Sequence, residues 1–432
     1  MSMNRRQFLC RSAAGAVAVL PHIIPASALG AEGAVAPSEK ITVGCIGVGS
    51  MGKTNMNSFL GLPDCRVVAV CDAYADRREE AKQIVDSKYE DTGCAMYADW
   101  RDVLAREDID AVMIAVQDHW HALIATAAAR AGKDMYCEKP LGVSVQESRR
   151  VREVVRETRR VFQTGTWQRS LEPFQRACTL ARNGYVGRIH TVEVATEGPG
   201  YRPKYTGTLD PQPVPEGFDW EMWRGPAPAK PYNPGRVAWP DWYLIWDYCS
   251  GFICNWGVHH LDIANWGCPE IGDAPFELEC SATYRNEGFT DNVDTWAATF
   301  TYASGLRMVF KDCEQQKSGC RFIGDEGWVH VDRSGIWAEP ETLLTVPFKD
   351  SDSRLTDSTN HGGNLLACIR ARKDPVSDVD AADKASVLGM LADIAARLNQ
   401  KLRWDPKAGR FFENDEANAM LQRPLHNGWR LT

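Results

Sequence analysis

The sequence predicts an α/β protein with a doubly wound parallel sheet in its N-terminal part. A second α/β domain with a large open, mostly antiparallel sheet follows. Three observations lead to this prediction. Apolar runs alternate with helical segments from Ile41 to Gly165, as in repeated β-α units. The first run leads directly into a Gly-x-Gly-x-x-Gly turn. After about Gly187, apolar and polar residues alternate, which favours half-exposed strands.

The chain length and composition limit the class of protein. A chain of 432 residues suggests two domains. We place them at residues 39–166 and 167–432. The C-terminal helices could pack back on the N-terminal domain. The net charge of −8 argues against a general nucleic-acid binder, which usually carries a basic face. We expect a small-molecule ligand and no nucleic-acid partner.

Residues 1–38 have the parts of an export signal. Two arginines at positions 5–6 precede Phe8 and Leu9, a short apolar run covers 13–20, and small residues lead to Ala28. This order is typical of a secretion signal, and the arginine pair resembles a twin-arginine signal. The apolar run is too short for a membrane span. We expect cleavage near Ala28 and a periplasmic or extracytoplasmic protein without a stable span; a disordered cytosolic N-terminus is the alternative.

Fourteen cysteines occur without any Cys-x-x-Cys pair. Cys45, Cys71 and Cys137 fall inside apolar runs, where cysteine acts as a small hydrophobic residue. The sequence therefore predicts few or no disulfides and no zinc or iron–sulfur site.

The glycine-rich turn is the strongest nucleotide-binding signal. The apolar run 41–46 reads as a buried strand and is followed by Gly47, Gly49 and Gly52. One glycine makes the tight turn, one lets the backbone approach a pyrophosphate, and one allows close packing of helix on strand. The next helix begins around Ser50 and Met51, so its free N–H groups would face the phosphates.

The second strand, 66–71, ends at Asp72, 20 positions after Gly52. A carboxylate at this distance accepts hydrogen bonds from ribose hydroxyls. Asp72 favours NAD as the cofactor because its carboxylate would repel a 2′-phosphate. Arg77 and Arg78 lie nearby in the sequence, so NADP stays an alternative cofactor. We expect the cofactor to be tightly bound.

Further strands are predicted at 110–116, 134–137 and 161–165, and helices at 53–60, 77–88, 100–105, 122–131 and 145–158. Ligands of doubly wound sheets bind at the carboxyl ends of the strands. The candidate cofactor contacts at these ends are Val116, Gln117, His121, Glu138, Lys139 and Gln168. His119 and His121 could also bind a metal beside Asp118, but at a helix start they would not share a face. Helix capping or a contact to the nicotinamide ribose is the favoured interpretation.

The second domain is predicted to contain strands at 188–195, 277–284, 294–302, 306–311 and 328–332, and helices at 364–372 and 381–402. The uncovered face of such a sheet is often covered by another subunit, so we expect a homodimer or homotetramer. A passage rich in Pro, Gly and Trp, 198–246, lacks periodicity and is predicted to be a functional loop. The candidate substrate contacts are Arg169, Tyr201, Trp239, Asp241, Asn255 and His259.

Four stretches together resemble the Gfo/Idh/MocA oxidoreductases, which include glucose–fructose oxidoreductase and inositol dehydrogenase. They are GVGSMG, DAVMIAVQDHWHALIATAAARAGKDMYCEKP, NWGVHHLDIANW and HGGNLLACIRARKDP. The resemblance covers nearly all of the chain from about Lys40. It implies a Rossmann domain, an α/β domain with a large open sheet, a nicotinamide cofactor, and dimers or tetramers formed through that sheet.

The resemblance also implies catalytic roles. Lys139 matches the Glu-Lys-Pro lysine, which contacts cofactor and substrate hydroxyl, and His259 matches the histidine of Gly-x-His-x-x-Asp, the usual proton acceptor. The family often has aspartate four residues before this histidine, where this chain has Asn255. Because an amide cannot accept the proton, Asn255 would position a hydroxyl or the imidazole, and His259 would be the sole base.

The function predicted from sequence is an exported NAD(P)-dependent oxidoreductase that transfers hydride between nicotinamide and a hydroxyl carbon of a sugar, polyol or glycoside. One alternative is an NAD-dependent glycosidase that oxidises C3 transiently and eliminates the aglycone. Another is a non-catalytic sugar sensor, against which the presence of both Lys139 and His259 counts.

Overall fold

The computed structural model describes residues 36–198, 202–355 and 358–431. The chain divides into two units, residues 1–40 and 41–432. Of the first unit only 36–40 are described, with a 3-10 turn at Pro37–Glu39. The predicted signal at 1–35 therefore lies outside the described residues.

The first sheet is parallel and has six strands in the order β3-β2-β1-β4-β5-β6. This order is that of a Rossmann domain, with its crevice where β1 and β4 diverge. The strands are β1 Ile41–Ile46, β2 Cys65–Cys71, β3 Ala95–Tyr97, β4 Ala111–Ile114, β5 Asp134–Cys137 and β6 Phe162–Thr164. The helices between them are α1 Ser50–Leu60, α2 Ala75–Tyr89, α3 Trp100–Leu104, α4 Asp118–Arg130 and α5 Val145–Thr158.

Both faces of this sheet are covered, as the continuous apolar runs predicted. On β4, Ala111 and Met113 enter one apolar core, whereas Val112 and Ile114 enter another on the opposite face. A strand buried on both sides needs apolar residues at every position. Helix α4 begins at Asp118, four residues earlier than predicted, so His119 and His121 lie in its first turn.

The second sheet has nine strands in the order β13-β12-β11-β7-β10-β9-β8-β14-β15. Only the β7–β10 pair is parallel; the other neighbours are antiparallel. The strands are β7 Ile189–Thr196, β8 Phe276–Tyr284, β9 Val293–Tyr302, β10 Arg307–Asp312, β11 Gly319–Gly324, β12 Gly327–Asp332, β13 Gly335–Glu339, β14 Leu402–Asp405 and β15 Arg410–Phe411. The predicted mostly antiparallel second sheet is confirmed.

Helices cover one face of this sheet, and many side chains on the other face stay partly exposed. The helices of this region are α6 Glu172–Arg182, α7 Trp220–Arg224, α8 Pro234–Val237, α9 Gly251–Asn255, α10 Gly257–Gly267, α11 Glu270–Asp273, α12 His361–Ala371, α13 Val379–Leu398 and α14 Asp415–Ala419. Short 3-10 turns occur at Trp167–Ser170, Asp241–Leu244 and Glu341–Leu344. Assembly through the exposed face stays a prediction.

Helix α13 is central to the second unit because it packs against α5, α9, α10 and β8. Gly389 permits the close approach to α9, since a Cβ there would lie 3.0 Å from the Cα of Cys254. The predicted helix 381–402 is too long at its C-terminal end. Asn399, with φ of 49°, caps α13, and residues 402–405 form strand β14.

The passage 198–246 differs from the predicted irregular loop. It contains α7, α8 and a 3-10 turn. These short elements pack around an aromatic core of their own that includes Phe218, Trp220 and Trp223. The aperiodic sequence hid this order because the packing is among aromatic rings rather than along one helix face.

Two negative findings concern the described residues alone. None of their helices is long and apolar enough to cross a membrane. They contain no group of three or more His, Cys, Asp or Glu side chains arranged to hold a metal ion. The cysteines from Cys45 to Cys368 are free thiols.

Candidate active site

The glycine turn closes tightly between β1 and α1. Gly47 has φ of +83°, and a Cβ there would lie 2.3 Å from the carbonyl oxygen of Ala115. A Cβ on Gly52 would lie 2.0 Å from the oxygen of Gly47. A Cβ on Gly49 would meet only the Arg77 guanidinium within 4 Å. Gly47 and Gly52 therefore shape the turn, and Gly49 leaves the backbone open to a ligand at the uncapped N-terminus of α1.

Asp72 is held at the end of β2 by two backbone amides. The N–H of Val48 donates to Oδ2 at 2.9 Å, and the N–H of Tyr74 donates to Oδ1 at 3.0 Å. Burial raises the pKa of the Asp72 carboxyl, and the Arg77 guanidinium opposes that rise. Each carboxylate oxygen has a second lone pair for a ribose hydroxyl.

The crevice at the ends of β1 and β4 is lined by both polar and apolar side chains. Of the predicted cofactor contacts, Gly47, Gly49, Asp72, Arg77, Val116 and Gln117 line it. Trp100, Trp120, Met222 and Trp223 complete the wall. Arg77 stacks on the Tyr74 ring, 3.9 Å from its centroid. An apolar slot beside a carboxylate and a glycine turn fits the adenosine half of NAD.

Replacing Gly52 with alanine is expected to weaken cofactor binding by at least tenfold. The added Cβ would overlap the oxygen of Gly47, so the turn has to move away from the phosphate position. Titration of NADH fluorescence measures the affinity. Gly61→Ala is the matched control, because a Cβ there would lie 3.4 Å from its nearest neighbour, the oxygen of Ser58. Unchanged NADH affinity in the Gly52 variant would contradict this account of the turn.

Lys139 follows β5 and points to the second domain. Its Nζ donates to Asn255 Oδ1 at 2.7 Å and to the Asn255 backbone oxygen at 3.0 Å. The Asn255 side-chain nitrogen donates to both oxygens of Asp118 at 2.9 Å. Asp118 and Asn255 are buried, and burial raises the pKa of the Asp118 carboxyl. Asp118 therefore fixes the amide so that its oxygen faces the lysine.

His259 lies on α10 and lines the same cleft as Lys139. Its side chain is almost completely buried, and its Nδ1 has no hydrogen-bond partner among the described residues. Burial, with the positive charges of Lys139 and Arg333, lowers the pKa of His259 well below its ordinary value. The imidazole is therefore neutral at neutral pH and able to accept a proton.

Glu138 is anchored on the cofactor side of this cleft. Its Oε1 accepts hydrogen bonds from Asn55 Nδ2 at 2.9 Å and from the Tyr136 hydroxyl at 3.2 Å. Gly165 leaves room for it, since a Cβ there would lie 2.6 Å from Glu138 Oε2. Met51 borders the same cleft, and Ser50 begins α1 beside it. The structure thus brings together the glycine turn, Glu138, Lys139 and His259.

Two predicted contacts, Arg169 and His121, are engaged with other protein groups. Arg169 forms a buried ion pair with Asp262, at 2.7 and 2.6 Å, and donates to the oxygen of Val376. Both ring nitrogens of His121 face backbone oxygens, of Pro140 at 2.6 Å and Val116 at 3.0 Å. Both side chains turn into the protein in this structure, and the predicted substrate contact of Arg169 and ribose contact of His121 stay predictions.

Gln168 lies behind the cleft, where its amide contacts Arg333 and His260. This position differs from the predicted cofactor contact. The buried Asp241 carboxylate accepts from the N–H groups of Lys204 and Tyr205 at 3.0 Å, which ties the loop together instead of facing a substrate.

Two further substrate candidates stay untested. Trp239 is 54% exposed, and the Lys204 ammonium lies over its ring, 4.5 Å from the ring centroid. Tyr201 lies outside the described residues.

Several residues of the cleft and its support do not follow from the sequence. The sequence indicates Asp118, which holds Asn255, only as a possible metal ligand, and it assigns no role to the cleft residues Arg333, Trp256, His361 and Asn55. Asp118 has one local signal, its position at a helix start shortly after the end of β4 at Ile114. Arg333 has none, because it lies in the β12–β13 turn far from the motifs.

These features define a class of protein: a dinucleotide-binding oxidoreductase whose lysine and neutral histidine meet in a cleft beside the cofactor crevice. The sequence matches two family models, "Oxidoreductase family, NAD-binding Rossmann fold" over residues 41–166 and "Oxidoreductase family, C-terminal alpha/beta domain" over residues 175–431. The chain belongs to the Gfo/Idh/MocA oxidoreductase family.

Curated relatives match over part of their length. The uncharacterized oxidoreductase YrbE of Bacillus subtilis is 30% identical over 162 residues, 38% of this chain and 46% of YrbE. Inositol 2-dehydrogenase of Rhizobium meliloti is 29% identical over 163 residues, 38% of this chain and 47% of that protein. A glycosyl hydrolase family 109 protein of Shewanella pealeana is 30% identical over 164 residues, 34% and 36% of the two chains. The chain thus spans less than half the length of these relatives.

Solved structures share the fold over most of the chain. Aldose-aldose oxidoreductase from Caulobacter crescentus, complexed with glycerol, has a TM-score of 0.62 and 17% identity, covering 84% of this chain and all of that one (100%). Myo-inositol dehydrogenase from Lactobacillus casei, in complex with NAD(H) and myo-inositol, has a TM-score of 0.59 and 16% identity, covering 85% and 97%. The likeness confirms the predicted fold.

Proposed function

We propose that this protein oxidises a hydroxyl carbon of a sugar or polyol with NAD, or catalyses the reverse reduction. The observation that carries the proposal is one cleft that holds Lys139, a neutral His259 and, from the glycine-rich turn of the Rossmann domain, Met51. Family membership and relatives named as inositol dehydrogenases support it.

The residues of this chain account for the proton and the charge in such a reaction. Nδ1 of His259 is enclosed by protein, so Nε2 is the ring nitrogen left to take the hydroxyl proton. The Lys139 ammonium stabilises the alkoxide that develops as the proton leaves. When bound, NAD supplies the acceptor for the hydride.

Asn255 and Asp118 act on Lys139 rather than on the substrate. The amide oxygen of Asn255 holds the ammonium, and Asp118 holds the amide. An aspartate at position 255 would place its carboxylate in contact with that of Asp118. One of the two carboxylates would then have to bind a proton. This network therefore gives a physical reason for asparagine where the family often has aspartate.

The direct test is a panel assay. Purified protein is incubated with NAD and with neutral sugars, polyols, acidic sugars and glycosides, and reduced nicotinamide is followed by its absorbance. The proposal predicts stoichiometric reduction with one substrate class. If no member of the panel, in either direction, changes the nicotinamide of a protein that binds NAD, the sugar sensor becomes the better interpretation.

A second candidate function is oxidoreductive glycosidase action, favoured by the resemblance to glycosyl hydrolase family 109 proteins. That resemblance covers only 34% and 28% of this chain. The discriminating product is a released aglycone without net formation of NADH. Aglycone release from a p-nitrophenyl glycoside at constant nicotinamide absorbance would favour this function over the dehydrogenase.

The acid side of the pH profile is a further prediction. Because the pKa of His259 is lowered below the ordinary value of about 6.5, its neutral form persists at lower pH than for an exposed histidine. Initial-rate kcat/KM for oxidation should stay level from neutral pH down through the ordinary histidine value of about 6.5 and fall only below it. Lys139→Met should move this fall to higher pH, since the variant lacks one charge that lowers the pKa of His259. A fall centred above pH 7 in the unsubstituted protein would contradict the assignment.

We further propose export through the twin-arginine route, supported by the sequence of residues 1–38. The protein would then fold and take up NAD before export. Replacing Arg5 and Arg6 by lysine should leave the protein in the cytoplasmic fraction, as measured by immunoblots of fractionated cells. Equal periplasmic amounts of both forms would overturn the proposal.

A further inference from the structure

Arg333 is a cation of the cleft to which the proposed reaction gives no role. It lies in the tight turn between β12 and β13 and keeps an exposed face. Together with Trp256 and His259, it lines both the main cleft and a smaller polar chamber next to it. Its charge is one of the causes of the low pKa of His259, which places the guanidinium near the proposed base.

The guanidinium is held in a defined orientation. Its Nε and Nη2 donate to Oε1 of Gln168, at 3.3 and 3.1 Å. The ring of Trp167 lies 4.8 Å from its central carbon and the ring of Trp256 lies 5.6 Å away. Gln168 thus occupies one edge of the guanidinium and the two aromatic rings flank it. The end formed by Nη1 and Nη2 stays available, and Nη1 has no hydrogen-bond partner among the described residues.

Arg333 has no carboxylate within 4.0 Å among the described residues, unlike the arginines that serve the fold. Arg169 is paired with Asp262 and Arg285 with Asp294. The two acidic residues of the chamber have other partners: Glu197 accepts hydrogen bonds from the hydroxyls of Thr196 and Ser318, and Asp332 accepts one from the N–H of Ser334. The planar end of an arginine binds a carboxylate through two parallel hydrogen bonds.

We propose that Arg333 binds a carboxylate of the substrate, so that the preferred substrate is an acidic sugar such as a hexuronate. This inference rests on the proposed function and names its substrate class. The hydroxyl to be oxidised would face Lys139 and His259, and the carboxylate would face the Arg333 end of the same cleft. The aromatic rings beside Arg333 would cover the apolar side of the sugar ring.

The test compares each hexuronate with the hexose of the same stereochemistry, in the unsubstituted protein and in Arg333→Gln. We expect kcat/KM of the unsubstituted protein to be at least tenfold higher for the matching hexuronate. The substitution should raise KM for the hexuronate at least tenfold more than it raises KM for the matching hexose. Assays at pH 8 keep His259 neutral in both proteins. Arg333→Lys should recover only part of the loss, because an ammonium cannot make the paired hydrogen bonds.

Arg321→Gln is the matched control, since this arginine also lies over a tryptophan, 4.0 Å from the ring centroid of Trp328, but does not line the cleft. It should behave as the unsubstituted protein. Equal loss for hexuronate and hexose in Arg333→Gln would overturn the proposal, as would preference for the neutral sugar. An Arg333-dependent preference for hexose phosphates over hexuronates would overturn the carboxylate assignment.

Calorimetric titration of the NAD-loaded protein with the hexuronates separates this inference from the proposed function. Binding that is lost in Arg333→Gln, without any turnover, would support the carboxylate site and contradict the dehydrogenase. Turnover of neutral sugars, with no preference for hexuronates that depends on Arg333, would support the dehydrogenase and contradict the carboxylate site.

Discussion

His259→Ala is expected to lower kcat by about 10²- to 10⁴-fold, the usual contribution of a general base, without weakening NADH binding. Two neutral imidazoles line the cleft, but both ring nitrogens of His361 are engaged, with Ser170 Oγ and the backbone oxygen of Thr164. His259 is therefore the imidazole left for the substrate hydroxyl, and it lies outside the adenosine crevice. Steady-state kinetics and NADH fluorescence measure the two effects separately.

Rescue by added imidazole provides the control for a purely structural effect in His259→Ala. A small base that diffuses into the vacated space should restore part of kcat, with a pH dependence set by the imidazole. Turnover close to that of the unsubstituted protein without imidazole would show that another group takes the proton. Loss of NADH binding would show that the histidine supports the fold rather than the chemistry.

Lys139→Met is expected to lower kcat by about 10²- to 10³-fold, comparable to the loss of one oxyanion-stabilising donor. The substitution removes the positive charge next to the developing alkoxide and leaves Asn255 Oδ1 without its donor. Steady-state kinetics on the best substrate measure the loss. Lys53→Met is the control, because Lys53 pairs with Glu80 at 2.6 Å outside the cleft. A variant that loses affinity for NADH but keeps kcat would assign Lys139 to cofactor binding alone.

The features predicted correctly from the sequence depend on local patterns. The Gly47–Gly52 turn, the carboxylate at Asp72 and the end of β5 before Lys139 follow from strand and helix periodicity and from residue spacing. In a parallel sheet these local elements share one edge, so the nucleotide crevice follows once the strands are recognised. His259 required the resemblance, since nothing local brings a histidine 120 positions later to the same cleft.

The features that the sequence did not predict depend on contacts between distant segments. The Asn255–Asp118 contact joins residues 137 positions apart, and Gln168–Arg333 joins residues 165 apart. Arg169 follows Trp167 by two positions in a 3-10 turn, which leaves the tryptophan at the cleft and turns the arginine inward to Asp262. Residue type alone could not separate an arginine that binds a ligand from one that pairs with a buried aspartate.

The proposed reaction requires that a carbinol hydrogen of a sugar leaves as hydride from the cleft of Lys139 and His259. The most direct measurement uses the best substrate with deuterium at its carbinol carbons, and follows the label by NMR. The expected result is deuterium on C4 of the reduced nicotinamide with a primary isotope effect on kcat/KM. In His259→Ala the same label transfer should be slowed as much as kcat. The contrary result has two parts: the nicotinamide stays unlabelled, and the deuterium on the carbon next to the oxidised one is lost to solvent as an aglycone is released. That result would favour the glycosidase over the dehydrogenase.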